Sequence, residues 1–278
     1  MRVLVTGASG FLGRHLLAQA PSSWSIWAPS SKELDVRDEE SCAEAFRRHR
    51  PELCVHLAAQ SSQRVGWSSP EETDRINRIG TEQLARSSGS CRLVYMSTCH
   101  VYGRPESTPI AEDHPTRPRG AYAISKLQGE QAVRDHAGDW VILRGFNLLG
   151  PGQSSHFAVA DWAKQALLGR REISTGNLAL RRDYLDVRDA AAGILLLSSR
   201  AKNSSVLNLC SAKSVTLRSL FERAAPGCAA VLDERRLRAD DPLEIRGCSR
   251  RARGLGWEAK IPTEKSVDDL VLSLSAPS

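Results

Sequence analysis

Short apolar segments alternate with stretches of helical periodicity through the first half of the chain. The first segment, Arg2–Thr6, is rich in β-branched residues, and the apolar Leu12, Leu16 and Leu17 that follow share one face of a helix. Strands that alternate with helices indicate a parallel, doubly wound α/β sheet. We predict strands at 2–6, 24–28, 34–38, 53–59, 92–96 and 140–144, and helices at 38–48, 70–87 and 120–136.

The pattern loosens beyond residue 146, where short strands and helices mix. A helix is expected near 157–168, a strand near 181–187 and a helix rich in Ala and Leu at 189–198. We therefore expect two regions that are interleaved along the chain. Residues 1–146 and 182–210 form the first, built on the parallel sheet, and residues 147–181 and 211–278 form a smaller mixed α/β region.

The composition is typical of a globular protein in water, with 41% hydrophobic and 25% charged residues among 278. The longest apolar run, near 190–197, is too short to span a bilayer. Met1 and Arg2 lead directly into the first predicted strand, so we expect no signal peptide and a cytoplasmic location. The seven cysteines are scattered and never form a C-x-x-C pair, which argues against a disulfide framework and against a zinc site.

A formal net charge of +6 and a group of arginines between residues 235 and 253 would suit a polyanionic partner. This group has no interleaved aromatic residues, and no nucleic-acid-binding motif accompanies it. We therefore expect no nucleic-acid partner. A few of these arginines are interpreted as ligands of a diphosphate, with the rest exposed to water.

A glycine-rich turn links the first predicted strand to the first helix. Gly7, Gly10 and Gly13 follow the spacing G-x-x-G-x-x-G, with Thr6 immediately before them. Glycines let the backbone approach a phosphate, and the N-terminus of the next helix offers N–H groups and a positive dipole end. A glycine triplet by itself is equally compatible with an ordinary loop. Its place between a strand and a helix favours a Rossmann-type dinucleotide site.

The end of the second predicted strand indicates which dinucleotide is preferred. NAD-binding sites often place an acid there for the ribose 2′-hydroxyl, whereas this chain has Ser30, Ser31 and Lys32. Two hydroxyls and a cation suit a 2′-phosphate better, and Arg14, just after the third glycine, is a second cation for that phosphate. We therefore predict NADPH as the cofactor, with NADH as the alternative.

Tyr122 and Lys126 are four residues apart in a predicted helix and therefore share one of its faces. An ammonium beside a tyrosine favours the phenolate and lowers a pKa that is otherwise near 10. Thr98, at the end of another predicted strand, is placed to hydrogen-bond a substrate oxygen near Tyr122. In isolation, such a pair is more often a chance feature of a helix surface. His56 lies inside an apolar strand and is interpreted as a packed core residue rather than a catalyst.

Together these motifs resemble those of the extended short-chain dehydrogenase/reductase family, and the resemblance covers almost the whole chain. Within that family the chain is most similar to nucleotide-sugar enzymes of the GDP-4-keto-6-deoxymannose reductase type. The resemblance rests on the order and spacing of the glycine turn, the His56-Leu57-Ala58-Ala59 segment, Thr98 before Val101-Tyr102-Gly103, and the Tyr122 and Lys126 pair. Further matching segments are 146–153, 181–189, 207–211, Gly256-Trp257 and Ile261-Pro262.

The resemblance implies a catalytic triad of Thr98, Tyr122 and Lys126, in which Tyr122 protonates a C4 alkoxide while NADPH delivers hydride to a GDP-linked 4-keto-6-deoxy sugar. It also implies an NADP-binding domain in the first region, a nucleotide-sugar site in the second, no metal, and a homodimer formed through helices 70–87 and 120–136. With the residues given above, the predicted cofactor-binding set is Gly7, Gly10, Phe11, Leu12, Gly13, Arg14, Ser30, Ser31, Lys32, Asp35, Val36, Leu57, Ala58, Ala59, Tyr122 and Lys126. The predicted substrate-binding set is Thr98, His100, Asn147, Gln153, Arg182 and Arg238.

The two residues after Thr98 depart from the family pattern. Dehydratases of this family carry acids there, whereas this chain has Cys99 and His100, so a 4,6-dehydratase is disfavoured. Related reductases can also carry an acid at the position of His100. His100 is interpreted either as a residue that orients the sugar or donates a proton, since histidine titrates near neutral pH, or as a substituted loop residue.

Three functions are compatible with the sequence. The favoured one is reduction of GDP-4-keto-6-deoxymannose to GDP-rhamnose or to its C4 epimer, GDP-6-deoxytalose. The second is an NAD-dependent 4-epimerase, or a 4-ketoreductase of a dTDP-, UDP- or CDP-sugar, on the same fold. The third is a non-catalytic dinucleotide-binding scaffold, and the intact set of Thr98, Tyr122 and Lys126 argues against it.

Overall fold

The structure is a computed structural model that describes residues 1–61, 68–237 and 241–275. Its strands are β1 (Arg2–Thr6), β2 (Ser25–Trp27), β3 (Leu53–His56), β4 (Arg92–Thr98), β5 (Trp140–Gly145), β6 (Asn147–Leu149), β7 (Glu172–Thr175), β8 (Arg181–Asp186), β9 (Ser205–Leu209), β10 (Ser214–Thr216), β11 (Ala229–Leu232) and β12 (Glu244–Ile245). Its α-helices are α1 (Phe11–Gln19), α2 (Glu39–His49), α3 (Pro70–Asp74), α4 (Gly80–Ser87), α5 (Gly120–Arg134), α6 (Ala158–Leu167), α7 (Val187–Arg200), α8 (Leu217–Ala224), α9 (Arg250–Gly254) and α10 (Thr263–Ser275).

The central sheet has six parallel strands in the order β2-β1-β3-β4-β5-β9. This confirms the predicted doubly wound sheet. The chain moves from β1 to β2 on one side and then to β3 on the other, so the strand order reverses beside β1. Ligands of open α/β sheets bind at the carboxyl ends of the strands beside such a reversal.

Hydrophobic layers cover both faces of the central sheet. Successive strand residues point to opposite faces, so Val3 and Val5 of β1 pack with α1 and α7, whereas Leu4 packs with α2, α4 and α5. A strand that is buried on both faces reads as a continuous apolar run, which is why β1 was recognisable in the sequence. The two layers fix the strand ends from which the site is built.

Residues 34–38 form turns rather than the predicted strand. The N–H of Leu34 donates to the carbonyl of Ser30, and the N–H of Asp38 donates to the carbonyl of Asp35, so the backbone closes on itself before α2. Leu34 and Val36 are nevertheless buried. The alternation of apolar and polar residues here reflects a turn that packs against the core, and the prediction of a strand is wrong.

The predicted helix 70–87 is present but interrupted, because α3 and α4 are joined by a π-helical turn, Arg75–Ile79. This turn accompanies a change of buried face: Asn77 and Thr81 are buried, whereas Ile76 and Ile79, which the sequence predicts on the buried side, are only partly buried. π-helical turns within helices are frequent at functional sites.

The smaller region is organised around β8, which pairs with β10, β12 and β6. A separate core lies between α6, α8 and α10, and a two-stranded sheet of β7 and β11 lies beside it. The strand β8 therefore lies in the smaller sheet. The predicted division places residues 182–210, which include most of β8, in the first region. That division stays a prediction. Within the described residues, every helix is too short or too polar to cross a membrane.

Candidate active site

The predicted phosphate turn follows β1, where backbone segments approach closely. Gly7 has a φ of 70°, and a Cβ there would lie 2.6 Å from the nitrogen of Ala58. A Cβ on Gly13 would collide with the carbonyl of Gly7. Helix α1 has Gly10 as its N-cap and no side-chain cap, so the N–H groups of its first turn, which begins at Phe11, are available to an anion. The turn therefore fits a dinucleotide pyrophosphate.

Thr6, the last residue of β1, connects this turn to the segment after β3 that contains Leu57, Ala58 and Ala59. Its hydroxyl accepts a hydrogen bond from the N–H of Ala58 at 3.2 Å and lies 2.7 Å from Nδ1 of His56. Nε2 of His56 lies 3.1 Å from the hydroxyl of Thr81. Burial lowers the pKa of His56 to about 3, so this histidine is a neutral core residue, in agreement with the sequence reading.

Thr98 and Tyr122 contact each other at the centre of the candidate site. Thr98 ends β4, and Tyr122 lies in the first turn of α5. Burial raises the pKa of Tyr122 to about 12, and a hydrogen bond with the Thr98 side chain opposes that rise. The expected lowering of the Tyr122 pKa by Lys126 is therefore wrong for this structure. Tyr122 is protonated at neutral pH, which is the state that a proton donor needs.

Lys126 lies one helical turn beyond Tyr122 and is 3% exposed. Its Nζ lies 4.1 Å from the centroid of the Tyr95 ring, which is a cation–π contact. Burial lowers the pKa of Lys126 to about 7, and the charge of Glu130 opposes this shift. Burial therefore makes the neutral amine of Lys126 much more accessible near neutral pH than it is in water.

Glu130, one further turn along α5, anchors the catalytic helix to two core strands. Its fully buried carboxylate accepts hydrogen bonds from Nε and Nη2 of Arg144 at 2.9 and 2.8 Å and from the hydroxyl of Ser97 at 2.6 Å. Arg144 lies on β5, and Ser97 immediately precedes Thr98 on β4. The buried pair of Glu130 and Arg144 therefore holds the face of α5 that carries Tyr122 and Lys126 against these strands.

Asn77, in the π-helical turn, is a positioning residue that the sequence reasoning missed. Its Nδ2 donates to the carbonyl of Gln60 at 3.0 Å and to the hydroxyl of Ser125 at 3.1 Å, and its Oδ1 accepts from the N–H of Gln60 at 2.8 Å. It therefore joins the segment after β3 to the catalytic helix. The available signal was that Asn77 and Thr81 are polar and share one helix face by their four-residue spacing.

An acid, Glu33, lies six residues after the end of β2 and contacts the predicted phosphate ligand Ser30. Oε2 of Glu33 accepts hydrogen bonds from the N–H and from the hydroxyl of Ser30, both at 2.8 Å. These bonds lower the pKa of Glu33. Ser30, Ser31 and Lys32 are exposed at this end of the sheet, so they are accessible to a cofactor.

Asp35 and Val36, predicted to lie beside the adenine, follow two residues after Glu33. The Asp35 carboxylate forms an ion pair with Arg37 at 2.8 Å, and Val36 is 8% exposed. Arg14, predicted to assist at the 2′-phosphate, donates from Nη2 to the carbonyl of Gly152 at 3.2 Å. Its role at the phosphate stays a prediction, and it would require this bond to open.

Asn147 and Gln153 lie at the beginning of the smaller region. Nδ2 of Asn147 donates to the carbonyl of Asp183 at 3.0 Å, and Nε2 of Gln153 donates to the carbonyl of Leu148 at 2.7 Å. Among the described residues, the buried Oε1 of Gln153 has no hydrogen-bond partner. Such an acceptor is costly in the folded protein alone and suits a donor on a ligand.

His100 and Arg182, both predicted to bind the substrate, have different partners in the structure. The ring of His100 lies edge-on to that of Tyr122, with 6.1 Å between the centroids. Arg182 lies on β8, where Nη2 donates to Asp241 at 2.6 Å and Nη1 donates to the carbonyl of Pro242 at 2.9 Å. Arg238 lies outside the described residues.

Comparison with known proteins identifies relatives of the whole chain. Residues 3–210 match the NAD dependent epimerase/dehydratase family. The chain is 31% identical to the GDP-6-deoxy-D-mannose reductase of Pseudomonas aeruginosa, over 96% of this chain and 94% of that protein. It is 32% identical to a UDP-glucose 4-epimerase of Azospirillum brasilense, over 98% of this chain and 90% of that protein. The solved structure of RMD from Pseudomonas aeruginosa complexed with NADPH superposes with a TM-score of 0.89 at 30% identity, covering 98% of each chain.

These similarities confirm the resemblance to extended short-chain dehydrogenases/reductases and the expectation of a nicotinamide dinucleotide, NADPH or NADH. The match covers the glycine turn, the catalytic helix and the strands that carry them. The chain belongs to the NAD dependent epimerase/dehydratase family, as an NAD(P)-dependent oxidoreductase of the extended short-chain type.

Proposed function

We propose that the protein uses NADPH to reduce the C4 keto group of GDP-4-keto-6-deoxy-D-mannose, giving GDP-D-rhamnose or its C4 epimer, GDP-6-deoxy-D-talose. The observation that carries the proposal is the contact of Thr98 with a protonated Tyr122, with Lys126 one turn further along the same helix. The 31% identity to a GDP-6-deoxy-D-mannose reductase supports the choice of substrate.

Three side chains carry out the proton chemistry. NADPH, when bound, supplies the hydride for the carbonyl carbon. Thr98 orients the carbonyl oxygen by a hydrogen bond, and Tyr122 donates its phenolic proton to the oxygen as negative charge develops there. Lys126, with a pKa of about 7, can return a proton towards Tyr122 after each turnover.

The nucleotide diphosphate is proposed to bind Arg182, with Asn147 and Arg238 as further ligands. The guanidinium of Arg182 now binds the carboxylate of Asp241, and a diphosphate oxygen would compete with that carboxylate for the same donors. Among the described residues, Oε1 of Gln153 has no hydrogen-bond partner. We propose that it accepts a hydrogen bond from the sugar nucleotide. His100 is proposed to orient the sugar beside Tyr122.

A 4-epimerase is the second candidate, and the 32% identity to a UDP-glucose 4-epimerase favours it. Such an enzyme oxidises and re-reduces C4 without net consumption of cofactor. Tightly bound NAD in the purified protein, with interconversion of UDP-glucose and UDP-galactose, would support this candidate. A 4-ketoreductase of a dTDP-, UDP- or CDP-sugar would use the same catalytic residues with a different nucleotide.

We also propose a homodimer formed through α3, α4 and α5. The outer surface of these helices lines a groove of about 860 Å³ that includes Asp74, Arg78 and Asp135. Arg78 already pairs with Asp74 and Glu82, so these charges are compensated within the chain. Sedimentation equilibrium should give twice the chain mass of 30.4 kDa, and a monomer would contradict the dimer.

The proposed reaction is tested by following NADPH absorbance with 4-keto-6-deoxy sugars that carry GDP, dTDP or UDP. Each sugar is generated in the cuvette by a dehydratase. Oxidation of NADPH with the GDP sugar alone supports the proposal, whereas oxidation with only another nucleotide corrects the substrate. If none of the sugars is reduced and the protein carries tightly bound NAD, the epimerase is the better assignment.

A further inference from the structure

A buried chain of hydrogen bonds leads from the glycine turn to the π-helical turn, and His56 lies at its centre. The N–H of Ala58 donates to the hydroxyl of Thr6, which lies 2.7 Å from Nδ1 of His56. Nε2 of His56 lies 3.1 Å from the hydroxyl of Thr81. That hydroxyl donates in turn to the carbonyl of Asn77 at 2.6 Å. Thr6, His56 and Thr81 are each at most 2% exposed, so water does not compete for these bonds.

The number of protons along this chain leaves one tautomer for His56. A carbonyl oxygen only accepts hydrogen bonds, so the single proton of the Thr81 hydroxyl is used at Asn77. Nε2 of His56 must then donate to Thr81, and it carries the ring proton. Burial and the nearby charge of Lys126 lower the pKa of His56 to about 3, so the ring is neutral and Nδ1 is an acceptor. The hydroxyl of Thr6 therefore donates to Nδ1, and every bond of the chain points towards the π-helical turn.

His56 also contacts the aromatic ring on which Lys126 lies. The rings of His56 and Tyr95 stack with 5.6 Å between their centroids, and Nζ of Lys126 lies 4.1 Å from the centroid of Tyr95. Helix α5 packs tightly at this place, because a Cβ on Gly129 would lie 2.3 Å from the hydroxyl oxygen of Tyr95. A cationic imidazole here would repel the ammonium of Lys126. The neutral ring therefore joins the segment after β3 to the surroundings of Lys126.

We propose that His56 is a positioning residue, whose neutral, Nε2-protonated ring fixes the segment after β3, and with it the dinucleotide, relative to Lys126. Gly7 packs so closely against Ala58 that a Cβ would not fit, so a shift of Ala58 moves the turn that receives the pyrophosphate. Hydrogen bonds that share one direction polarise one another, so loss of one bond weakens the others. His56 thus acts on the dinucleotide without touching it. The inference rests on the proposed function only in placing the dinucleotide at the glycine turn, and not in the choice of sugar.

Thr81→Val breaks the chain at the end that is furthest from the glycine turn. Valine keeps the shape of threonine but leaves Nε2 of His56 without its acceptor. The matched control is Thr73→Val, because Thr73 is equally buried and its hydroxyl also donates to a carbonyl four residues earlier. The two threonines differ in the bond to His56, which Thr81 makes.

The Kd of NADPH, measured by fluorescence titration without any sugar, compares the two threonine variants. Thr81→Val should weaken the binding of NADPH about threefold to fivefold, because the segment after β3 loses its support through His56. Thr73→Val should change the Kd by less than about twofold, since it removes the same kind of bond within a helix and no more. Equal Kd values in the two variants would overturn the inference.

Two variants of His56 separate its hydrogen bonds from its volume. His56→Gln keeps an acceptor and a donor on one side chain, whereas His56→Leu keeps only the apolar bulk. We expect His56→Leu to weaken the binding of NADPH about tenfold, and His56→Gln to recover part of that loss. Circular dichroism confirms that each variant is folded. Equal weakening in the two variants would leave His56 with a packing role alone and contradict the inference.

The wild-type protein gives a direct test that needs no variant to fold. Nitrogen-15 NMR of the histidine side chains distinguishes the two neutral tautomers from each other and from the imidazolium ion. At about pH 7, His56 should be neutral with its proton on Nε2. A ring that is protonated on Nδ1, or a cationic ring, would overturn the inference. No sugar enters these measurements, so failure to reduce a nucleotide sugar would contradict the proposed function and not the role of His56.

Discussion

The catalytic helix and the substrate-side arginine use the same kind of ion pair in different surroundings. The side chains of Glu130 and Arg144 are 0% and 4% exposed, and their pair joins α5 to the core strand β5. The side chains of Arg182 and Asp241 are 10% and 29% exposed, and their pair joins β8 to a segment without regular structure. The first pair is closed to water, and the second is open to it.

This difference indicates where the protein is rigid and where it can exchange partners. A buried charge that loses its partner is strongly destabilising, so the pair of Glu130 and Arg144 fixes α5 before any ligand binds. A partly exposed carboxylate such as Asp241 can be solvated, so a phosphate can replace it at Arg182 at small cost. We infer that the catalytic end is preorganised and that the substrate end changes its hydrogen bonds on binding.

Breaking the buried pair should have the largest effect on stability. Arg144→Met leaves the Glu130 carboxylate uncompensated and should lower the free energy of unfolding by about 3–5 kcal/mol. The matched control is Arg134→Met, which removes a 34% exposed partner of the same carboxylate and should cost less than about 1 kcal/mol. Urea unfolding measures both, and equal losses would contradict the distinction between buried and open pairs.

Lys126 should make the stability of the catalytic end depend on pH. Its pKa is about 7 in the folded protein and 10.5 ordinarily, so between these values the unfolded chain binds more protons than the folded chain. The contribution of Lys126 to the free energy of unfolding is therefore largest above about pH 10.5, and it falls as the pH falls towards 7. Between pH 7 and pH 9.5, the free energy of unfolding of the wild type, measured with urea, should rise by about 2–3 kcal/mol relative to that of Lys126→Met. A difference between the two proteins that does not change with pH would rule out a buried, neutral lysine.

Changes at the open pair should affect binding more than stability. Arg182→Lys keeps the charge but loses the planar fork, and it should weaken the binding of GDP by about tenfold. Asp241→Asn removes the competing carboxylate and should tighten GDP by about twofold, while the free energy of unfolding falls by less than about 1 kcal/mol. Isothermal titration with GDP measures both variants. Weaker binding in Asp241→Asn would show that this carboxylate positions Arg182 instead of competing with the ligand.

The parts that the sequence predicted correctly depend on local patterns. The strands β1 to β5 of the central sheet were visible as apolar runs, whereas β9 was not predicted as a separate strand. The Tyr122 and Lys126 pair follows from helical spacing alone. The segment 34–38 misled the prediction because a turn that buries Leu34 and Val36 shows the same alternation as a strand.

The parts that escaped prediction depend on contacts between distant residues. Arg182 meets Asp241 from 59 positions away, and no periodicity relates them. Asn77 lies in the π-helical turn and links Gln60 to Ser125 of the catalytic helix. A regular helical pattern in the sequence does not reveal such a turn.

Transfer of hydride to C4 of the sugar tests the proposed site most directly. The protein is incubated with GDP-4-keto-6-deoxymannose and NADPH that carries deuterium at both positions of nicotinamide C4, and the GDP sugar is examined by NMR. We expect deuterium at C4 of a single C4 epimer, formed at least about a hundredfold more slowly by Tyr122→Phe, with circular dichroism confirming that this variant is folded. A product without deuterium at C4, or an equal rate in Tyr122→Phe, would contradict reduction at this site with Tyr122 as the proton donor.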